Sequence, residues 1–422
     1  MQLVRFCDLR NGFRIYSQCD RISHLGGIGV RVGTSYDSRN KTGIIHLGEH
    51  VRSRGTKKYP SSMVDLMVQK YMGGLEGDIN VRVDRSSTFF GNAGLIRKRY
   101  MLACFDMWMD LVRNTEFDQE ALDIEKSAIH NEHYEKGRNV VESELYDLIH
   151  LAVFGNTVAS RRIDCEPCEL EKITVGMLKQ TYNRYFRAPR NLFALTLGPS
   201  LQETRELVKP YFGDLEDVGI PNNDIDIDGV PAMLTAPLRW EIDNPGIKQW
   251  YVAVGFPVER YGSDDDEVMD AIAQIVELRL LGLREGNRDF NKGIYHPHVH
   301  VERHFTHGIM FFYFSTISRE YAEYGEEFIC RELAQLRENL VSVEEFDAAT
   351  FRIRTEYLEA FEKVPDTLAE LVINAACNGD EDLVRLHSVR ERIDRMTRVK
   401  LRNVANRIFT LPNYACAVIR PV

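Results

Sequence analysis

The sequence predicts an α+β protein built from two related domains, and three observations support this prediction. The length of 422 residues exceeds what one ordinary hydrophobic core covers and suits two domains of about 200 residues each. In each half of the chain, strand-like segments precede helical ones. The second half also repeats the order of elements in the first, which favours two copies of one unit.

The first half of the chain begins with strands and continues with helices. Apolar and polar residues alternate in FRIYSQ and GGIGVRVGTSY, which predicts strands, and a 3.6-residue period predicts a helix in GIIHLGEHVRS. A polar strand candidate follows in DINVRVDRSSTFFGNAG. Two long helices are predicted next, the amphipathic RKRYMLACFDMWMDLVRN and the charged DQEALDIEKSAIHNEHYEKGRN. The strand NLFALTLG comes near the end of this domain, which we place at residues 1–212.

The second half is separated from the first by a segment rich in Asp, Asn, Pro and Gly, which is typical of a linker. We place the linker at residues 213–236 and the second domain at residues 237–422. Strands are predicted in KQWYVAVGFPV and GIMFFYFST, with a helix from Asp264 to Leu283 between them. A pair of helices follows, and the second, VEEFDAATFRIRTEYLEAFEKV, is similar to the charged helix of the first half.

Composition and charge indicate a folded protein and exclude nucleic acid as its main partner. Hydrophobic residues make up 44% of the sequence and charged residues 27%, as in ordinary globular domains. A net charge of −10 lacks the lysine and arginine excess that phosphate binding uses. The N-terminal sequence has no apolar core of signal-peptide length, and no stretch approaches the roughly 18 apolar residues of a membrane span. We therefore expect a cytoplasmic protein with no membrane partner.

The predicted helix GIIHLGEHVRS carries an HxxEH motif formed by His46, Glu49 and His50. Side chains four residues apart share one face of a helix, so the two imidazoles can bind one atom. A catalytic zinc takes three protein ligands and leaves one position open, and His₂Glu is one of its recurrent ligand sets. Glu49 lies within reach of a water molecule at such a site and can accept its proton.

A third zinc ligand must come from another segment, and the charged helix offers two candidates. Glu125 and Glu132 are seven residues apart and therefore lie on roughly the same helical face. One of them can be the ligand and the other can support a ligand through a hydrogen bond. A solvated acidic helix face is the alternative interpretation of such a glutamate pair.

Three longer segments carry a resemblance to a known family. VRVGTSYDSRNKTGIIHLGEHVRSRGTKKYP, the preceding LRNGFRIY and the later FGNTVASRRIDCEPCELEKITVGMLKQTYNRYFRAPRNLFALTLG resemble the pitrilysin-type inverzincin metallopeptidases. This family includes insulin-degrading enzyme and the mitochondrial processing peptidases. The resemblance covers the first half closely and the second half loosely. It implies domains that each pack a mostly antiparallel sheet against helices, and a zinc endopeptidase or oligopeptidase with one Zn²⁺ per chain.

The resemblance also assigns individual roles. It makes Glu132 the third zinc ligand, Glu125 the supporting carboxylate and Glu49 the general base. A substrate-binding arginine and tyrosine seven residues apart correspond to Arg288 and Tyr295, and Arg284 is a competing choice for the arginine. In the family an edge strand binds the peptide substrate through its backbone. Here that strand is expected around Asn80 and Val81.

The resemblance further implies a homodimer, because in the family the zinc of one half-molecule faces the arginine and tyrosine of another. The expected function is hydrolysis of short unstructured peptides inside a chamber. The alternative is a catalytic or noncatalytic subunit of a heterodimeric processing peptidase with one dedicated substrate. Gly48 and Ser53 replace bulky residues of the family pattern, and we interpret them as altering the pocket while leaving the zinc ligands in place.

One cluster lies outside the family pattern. The segment YHPHVHVERHFTH contains five histidines, and on a strand the first three would share one face. A second metal site and a pH-sensitive lining are possible functions, and a solvated or chamber-facing strand is the simpler interpretation. The histidines are His296, His298, His300, His304 and His307.

Overall fold

Two mixed sheets, each packed against helices, form the framework of the protein. A computed structural model describes residues 3–19, 24–37, 43–71, 79–92, 97–139, 141–163, 167–219, 229–286, 293–410 and 413–422. The strands are β1 (Arg5–Asp8), β2 (Arg14–Cys19), β3 (Leu25–Val30), β4 (Ile79–Val83), β5 (Thr88–Asn92), β6 (Leu192–Gly198), β7 (Leu238–Asp243), β8 (Trp250–Val258), β9 (Ile294–Arg303), β10 (Gly308–Thr316) and β11 (Ala415–Arg420).

Helices fill the connections between these strands. They are α1 (Ile44–Ser53), α2 (Ser61–Tyr71), α3 (Lys98–Asn114), α4 (Gln119–Asn139), α5 (Val141–Phe154), α6 (Pro167–Leu170), α7 (Val175–Thr181), α8 (Leu201–Phe212), α9 (Asp266–Gly286), α10 (Arg319–Glu338), α11 (Val343–Glu362), α12 (Pro365–Cys377), α13 (Val384–Asp394) and α14 (Arg398–Ile408). Within the described part of the chain, no helix is both long and apolar enough to cross a lipid bilayer.

The two sheets have the same topology, which confirms the prediction of two related α+β domains. The first has the strand order β1-β2-β6-β3-β5-β4 and the second β7-β11-β8-β10-β9. Without β1, each sheet places its strands in the order first, fifth, second, fourth, third along the chain. In each, the first and last strands are parallel and the other neighbours antiparallel. Both sheets are therefore mostly antiparallel, as expected.

The chain folds into two compact units that do not coincide with its linear halves. Unit 1 consists of Met1–Glu132, Arg162–Ile225 and Leu358–Leu386, and unit 2 consists of His133–Arg161, Asp226–Tyr357 and His387–Val422. Each unit thus includes a helix from the other half, α12 in unit 1 and α5 in unit 2. The predicted domains at residues 1–212 and 237–422, with the linker between them, divide the chain by sequence position. This division stays a prediction.

Unit 1 has its core between the first sheet and helix α3. Buried residues of α3 recur at helical spacing, including Met101, Phe105 and Trp108. The facing strand β3 has the sequence LGGIGV, and its glycines make room for aromatic side chains. A Cβ on Gly29 would lie 2.0 Å from the Phe193 ring. Close packing of this sheet therefore requires glycine at that position.

Unit 2 places helices on both faces of the second sheet. One face carries α9, α10 and α14, and the other face packs against α5. On that second face, Ile149 of α5 lies so close to β8 that a Cβ on Gly255 would come within 2.8 Å of it. Helix α5 is consequently held directly against the sheet.

Candidate active site

A glycine and a carboxylate stabilise the start of the helix that carries the HxxEH motif. Gly43 precedes α1 with a φ of 83°, a left-handed conformation that favours glycine. The Asp37 carboxylate accepts hydrogen bonds from the backbone N–H groups of Gly43, at 2.5 Å, and Ile45, at 3.2 Å. A carboxylate here satisfies free N–H groups and is favoured by the helix dipole. Sequence reasoning missed Asp37, although an acidic residue just before an apolar periodic segment is a known helix-start signal.

The three motif residues converge on one side of α1. Single ligand atoms of His46, Glu49 and His50 all lie within 4.8 Å of one another, and no other such group of three occurs in the described ranges. The Nε2 atoms of the two histidines are 3.3 Å apart, and their rings are nearly perpendicular, at 87°. His46 and Glu49 are each only 7% exposed. The fold therefore brings together, in a largely buried position, three side chains of the kind that can bind a metal ion.

Glu125 of α4 orients one of these histidines. Its Oε2 lies 3.0 Å from His50 Nδ1, and its Oε1 accepts a short hydrogen bond from Arg54 Nε. Burial alone would raise the pKa of the Glu125 carboxyl, but the hydrogen bonds from His50 and Arg54 outweigh it and hold that pKa below its ordinary value. Glu125 is thus an ionised acceptor that fixes the ring of His50. Sequence reasoning did not identify Arg54.

These contacts fit a bound zinc ion. Because His50 Nδ1–H donates to a carboxylate, its Nε2 carries the lone pair, and this lone pair faces His46 Nε2. A separation of 3.3 Å suits two ligands that each bind a tetrahedral ion at roughly 2.0–2.1 Å. A carboxylate on the second ring nitrogen is the usual support of a zinc-bound histidine. Glu132 follows Glu125 by two turns of α4, and its side chain lies outside the described residues.

The predicted substrate-binding residues lie in separate parts of the chain, and only some of them belong to the described residues. Asn80 and Val81 lie on β4, the last strand of the first sheet, which packs beside α1. Tyr295 lies on β9 in unit 2 and is 37% exposed. Arg288 falls outside the described residues. The competing Arg284 belongs to α9, and its side chain is also outside the described part of the chain. The roles assigned to these residues stay predictions.

Helix α1 also carries a buried cation, Arg52, which sequence reasoning did not identify. Arg52 is 1% exposed, and its guanidinium carbon lies 3.6 Å from the centroid of the Phe186 ring, with Phe117 and Tyr182 at 5.4 Å. Burial lowers the pKa of Arg52 to about 9. A Cβ on Gly48 would lie 3.7 Å from Arg52 Nη1. The space beside Gly48 is therefore bordered by Arg52 at an ordinary contact distance and has room for a methyl group.

Replacing Gly48 with alanine should stabilise the protein. The new Cβ would meet Leu178 at 3.5 Å and Arg52 at 3.7 Å, which are ordinary contacts. Alanine in a helix interior is favoured over glycine, so the free energy of unfolding should rise by about 0.5–1 kcal/mol. Urea denaturation measures this change. The matched control is Gly29→Ala, whose Cβ would collide with Phe193 and should destabilise by roughly 1–3 kcal/mol. A loss of stability in Gly48→Ala would show that Arg52 leaves no room.

Comparison with known proteins connects this geometry to one family. The model described as Insulinase (Peptidase family M16) matches residues 16–166, and the model described as Peptidase M16 inactive domain matches residues 172–352. The rat (Rattus norvegicus) mitochondrial-processing peptidase subunit beta is 25% identical over 207 residues, which are 49% of this chain and 41% of that protein. The chain thus matches less than half the length of this relative.

Two further proteins extend the comparison. The rat cytochrome b-c1 complex subunit 1, mitochondrial, is 22% identical over 213 residues, which are 50% of this chain and 42% of that protein. A crystal structure of a protease from Helicobacter pylori superposes over 100% of both chains with a TM-score of 0.87 and 16% sequence identity. At this identity the superposition establishes a shared fold, with two domains that each pack a mixed sheet against helices.

Proposed function

The chain belongs to the insulinase family of peptidases, and on this premise we propose that it is a zinc-dependent endopeptidase or oligopeptidase. One observation carries the proposal. His46, Glu49 and His50 converge in a largely buried position, and Glu125 orients His50 with its lone pair toward His46. This arrangement combines a histidine pair, a supporting carboxylate and a nearby base, which are the groups that metal-assisted hydrolysis uses.

In the proposed site, His46, His50 and Glu132 hold one zinc ion per chain. When bound, zinc polarises a carbonyl group and makes a water molecule more acidic. Glu49 accepts the proton of the attacking water at its carboxylate and later delivers it to the leaving amine. Glu49 Oε2 is 3.8 Å from His50 Nε2, and this closeness to a proposed ligand supports the role of general base. Burial of Glu49 keeps competing solvent away from this proton transfer.

The proposed substrates are short, unstructured peptides. β4 pairs with β5 on one side, and in the described part of the sheet its other side has no neighbouring strand. It also lies against α1, which carries the histidine pair. An extended peptide can therefore add to β4 near Asn80 and Val81 through backbone hydrogen bonds, which give affinity with little sequence selectivity. A folded protein does not offer a free strand for this pairing.

In the proposed dimer, Arg288 and Tyr295 of one copy of the chain bind the substrate that lies at the zinc site of the other copy. An arginine is a firm donor to a peptide carbonyl, and a tyrosine hydroxyl can stabilise a developing oxyanion. Tyr295 lies on β9 and is partly exposed, which supports its placement in this role. The proposed assembly is a homodimer that encloses a chamber. Cytoplasmic location stays a prediction.

The proposal is tested by incubating purified protein with a mixed pool of unstructured peptides. Zinc-loaded protein should cleave the pool, chelator-treated protein should not, and added zinc should restore cleavage. Mass spectrometry identifies the products, and light scattering on the same sample gives the oligomeric mass. No cleavage by a dimer with one zinc per chain would contradict the proposed activity.

A second candidate function is that of one subunit in a heterodimeric processing peptidase with a dedicated peptide substrate. The names of both rat relatives favour it, because each describes a subunit of a larger assembly. In this case the isolated chain would be a monomer and would not cleave the pool even with zinc bound. A monomeric mass together with inactivity would therefore favour the heterodimer over the homodimer.

A further inference from the structure

The second sheet has an open side at β7, in a position where the first sheet has an additional strand. In the first sheet, β1 pairs with β2 in an antiparallel register, with Arg5 opposite Ser17. Strand β7 corresponds to β2, since each is the first strand of the shared topology and pairs in parallel with the last. In the described part of the second sheet, β11 is the only neighbour of β7. We call the open side of β7 the β7 edge.

The exposure of the strand agrees with an uncovered edge. The four central residues of β2 are buried, whereas residues 238–241 of β7 are all exposed. Leu238 and Trp240 share one face of the strand and are 41% and 44% exposed. Ile242 on the same face packs against the apolar core beside α5. The strand contains no proline or lysine, the residues that commonly protect an edge strand from pairing with another chain.

The hydrogen bonds to β11 determine which backbone groups face the β7 edge. Leu238 donates its N–H to the carbonyl oxygen of Tyr414 at 3.2 Å, and Asn244 donates to that of Arg420 at 2.9 Å. Backbone groups alternate in direction along a strand, so the even-numbered residues of β7 bond to β11. The odd-numbered residues direct their N–H and C=O groups to the open side, and these residues are Arg239, Glu241 and Asp243.

A second copy of β7 can bond to these groups as an antiparallel strand around a twofold axis. In such a contact, residue i faces residue j and residue j faces residue i. Because only odd-numbered residues offer backbone groups, the axis has to pass through a residue and not between two residues. An axis at Trp240 places Arg239 opposite Glu241 twice and Leu238 opposite Ile242. An axis at Glu241 would instead place two Glu241 carboxylates opposite each other, which is unfavourable.

The register with its axis at Trp240 is complementary on both faces of the strand. Within one copy, Arg239 Nε lies 2.7 Å from Glu241 Oε1, so both charged groups lie on one face. Glu326 also contacts Arg239, and Arg420 also contacts Glu241, so this face carries both signs of charge. Across the axis, each Arg239 faces the opposite charge of Glu241. On the other face two Trp240 side chains meet at a pair without backbone hydrogen bonds, where side chains come closest.

We propose that the β7 edge is a docking surface for a second copy of this chain, and that the two β7 strands pair antiparallel around Trp240. The pairing joins two five-stranded sheets into one continuous sheet through backbone hydrogen bonds. The charge pattern favours a second copy as the partner, because β7 is complementary to itself in this register. Strand β9, which carries Tyr295, is the opposite edge of the same sheet. The contact therefore uses another surface and does not depend on the proposed peptidase activity.

Light scattering of the full-length protein over a range of concentrations tests the β7 edge. The natural sequence should form an assembly whose mass falls on dilution, because two six-residue strands make a short interface. Trp240→Lys should halve the mass at concentrations where the natural sequence is assembled, since two lysines would face each other across the axis. The matched control is Leu340→Lys, which replaces an apolar residue of similar exposure, 41%, elsewhere in unit 2. It should leave the mass unchanged.

A mixing experiment tests the register. Trp240→Lys and Trp240→Glu should each lose the contact, because each variant places like charges opposite each other at the axis. An equal mixture of the two should assemble again, because the lysine of one copy then faces the glutamate of the other. High salt should weaken this recovery by screening the charges.

A proline variant tests the backbone hydrogen bonds. Glu241→Pro removes an N–H that faces the β7 edge, and edge strands tolerate proline at such positions. It should dissociate the assembly, while the circular dichroism spectrum stays that of the folded chain. The control Glu241→Ala removes the same carboxylate but keeps the N–H, so it should weaken the assembly less.

Three results would overturn the proposal. The first is a natural sequence that stays monomeric at its highest soluble concentration. The second is an assembly whose mass is the same in Trp240→Lys and in Glu241→Pro as in the natural sequence, which would place the contact elsewhere. The third is a mixture of Trp240→Lys and Trp240→Glu that does not assemble, which would exclude the axis at Trp240. Zinc content measured on the same samples separates these results from a failure of the proposed zinc site.

Discussion

Replacing Glu49 with glutamine should abolish peptide hydrolysis and leave zinc bound. The amide keeps the size and most contacts of the carboxylate but cannot accept a proton. A positioned general base typically contributes about 10²–10⁴-fold to the rate, so kcat should fall by this factor. Because His46 and His50 stay in place, the zinc content should remain near one per chain. The measurement is kcat on one peptide of the cleaved pool, with zinc determined by atomic absorption on the same sample.

The control for Glu49→Gln is Glu120→Gln, which makes the same chemical change at an exposed position in the first turn of α4. It should change neither kcat nor zinc content. Full activity in Glu49→Gln would remove Glu49 from the mechanism. Zinc loss in Glu49→Gln as complete as in a ligand variant would make Glu49 a ligand, which its position within 4.8 Å of both histidines permits geometrically.

Local sequence patterns were sufficient to predict most individual elements. The helix in GIIHLGEHVRS is α1, the strand in NLFALTLG is β6, and the strand in GIMFFYFST is β10. α1 has a helical period of apolar residues, whereas β6 and β10 are nearly continuous apolar runs, as expected for strands buried on both faces. The polar candidate DINVRVDRSSTFFGNAG is two strands, β4 and β5, because the chain turns between them and pairs with itself. The fold class of two related α+β domains is confirmed.

Long-range arrangements could not be read from these patterns. The parallel pair β2 and β6 joins residues almost 180 positions apart, since Arg14 lies opposite Phe193. The exchange of α5 and α12 between the two units is equally nonlocal. Apolar periodicity shows that a helix has a buried face, but it does not identify the sheet that covers this face. Sequence reasoning therefore gave a linear division of the chain, whereas the compact units include exchanged segments.

In the candidate site too, the sequence predicted which neighbouring residues share a helix face, but it did not predict contacts between distant segments. The HxxEH spacing alone placed His46, Glu49 and His50 on one face of a helix, and their ligand atoms do converge. Arg52 lies on the same helix as these three residues. Its burial, however, depends on Phe186 and Phe117, which come from two distant segments of the chain. His150 joins Glu302 across more than 150 residues. Such contacts require the folded chain, because no spacing rule connects them.

Replacing Glu132 with glutamine should remove zinc, whereas the same change at Glu125 should only weaken its binding. In our assignment Glu132 supplies the third ligand, and a neutral amide is a poor substitute for a carboxylate at zinc. Glu125 acts through His50, whose Nδ1 lies 3.0 Å from its Oε2. Loss of such a supporting contact typically costs about 10–100-fold in metal affinity. Competition with a zinc-sensitive dye measures both affinities, and Glu120→Gln is again the control.

The comparison of these two variants also tests which glutamate is the ligand. Glu125 is already engaged by His50 and Arg54, so its two oxygens are occupied and unsuited to direct coordination. Arg54→Lys should therefore reproduce part of the Glu125→Gln effect, because a lysine keeps the charge but not the guanidinium geometry. If Glu125→Gln lost zinc completely while Glu132→Gln retained it, the two roles would have to be exchanged. In that case His50 would be oriented by a group other than Glu125 once zinc is bound.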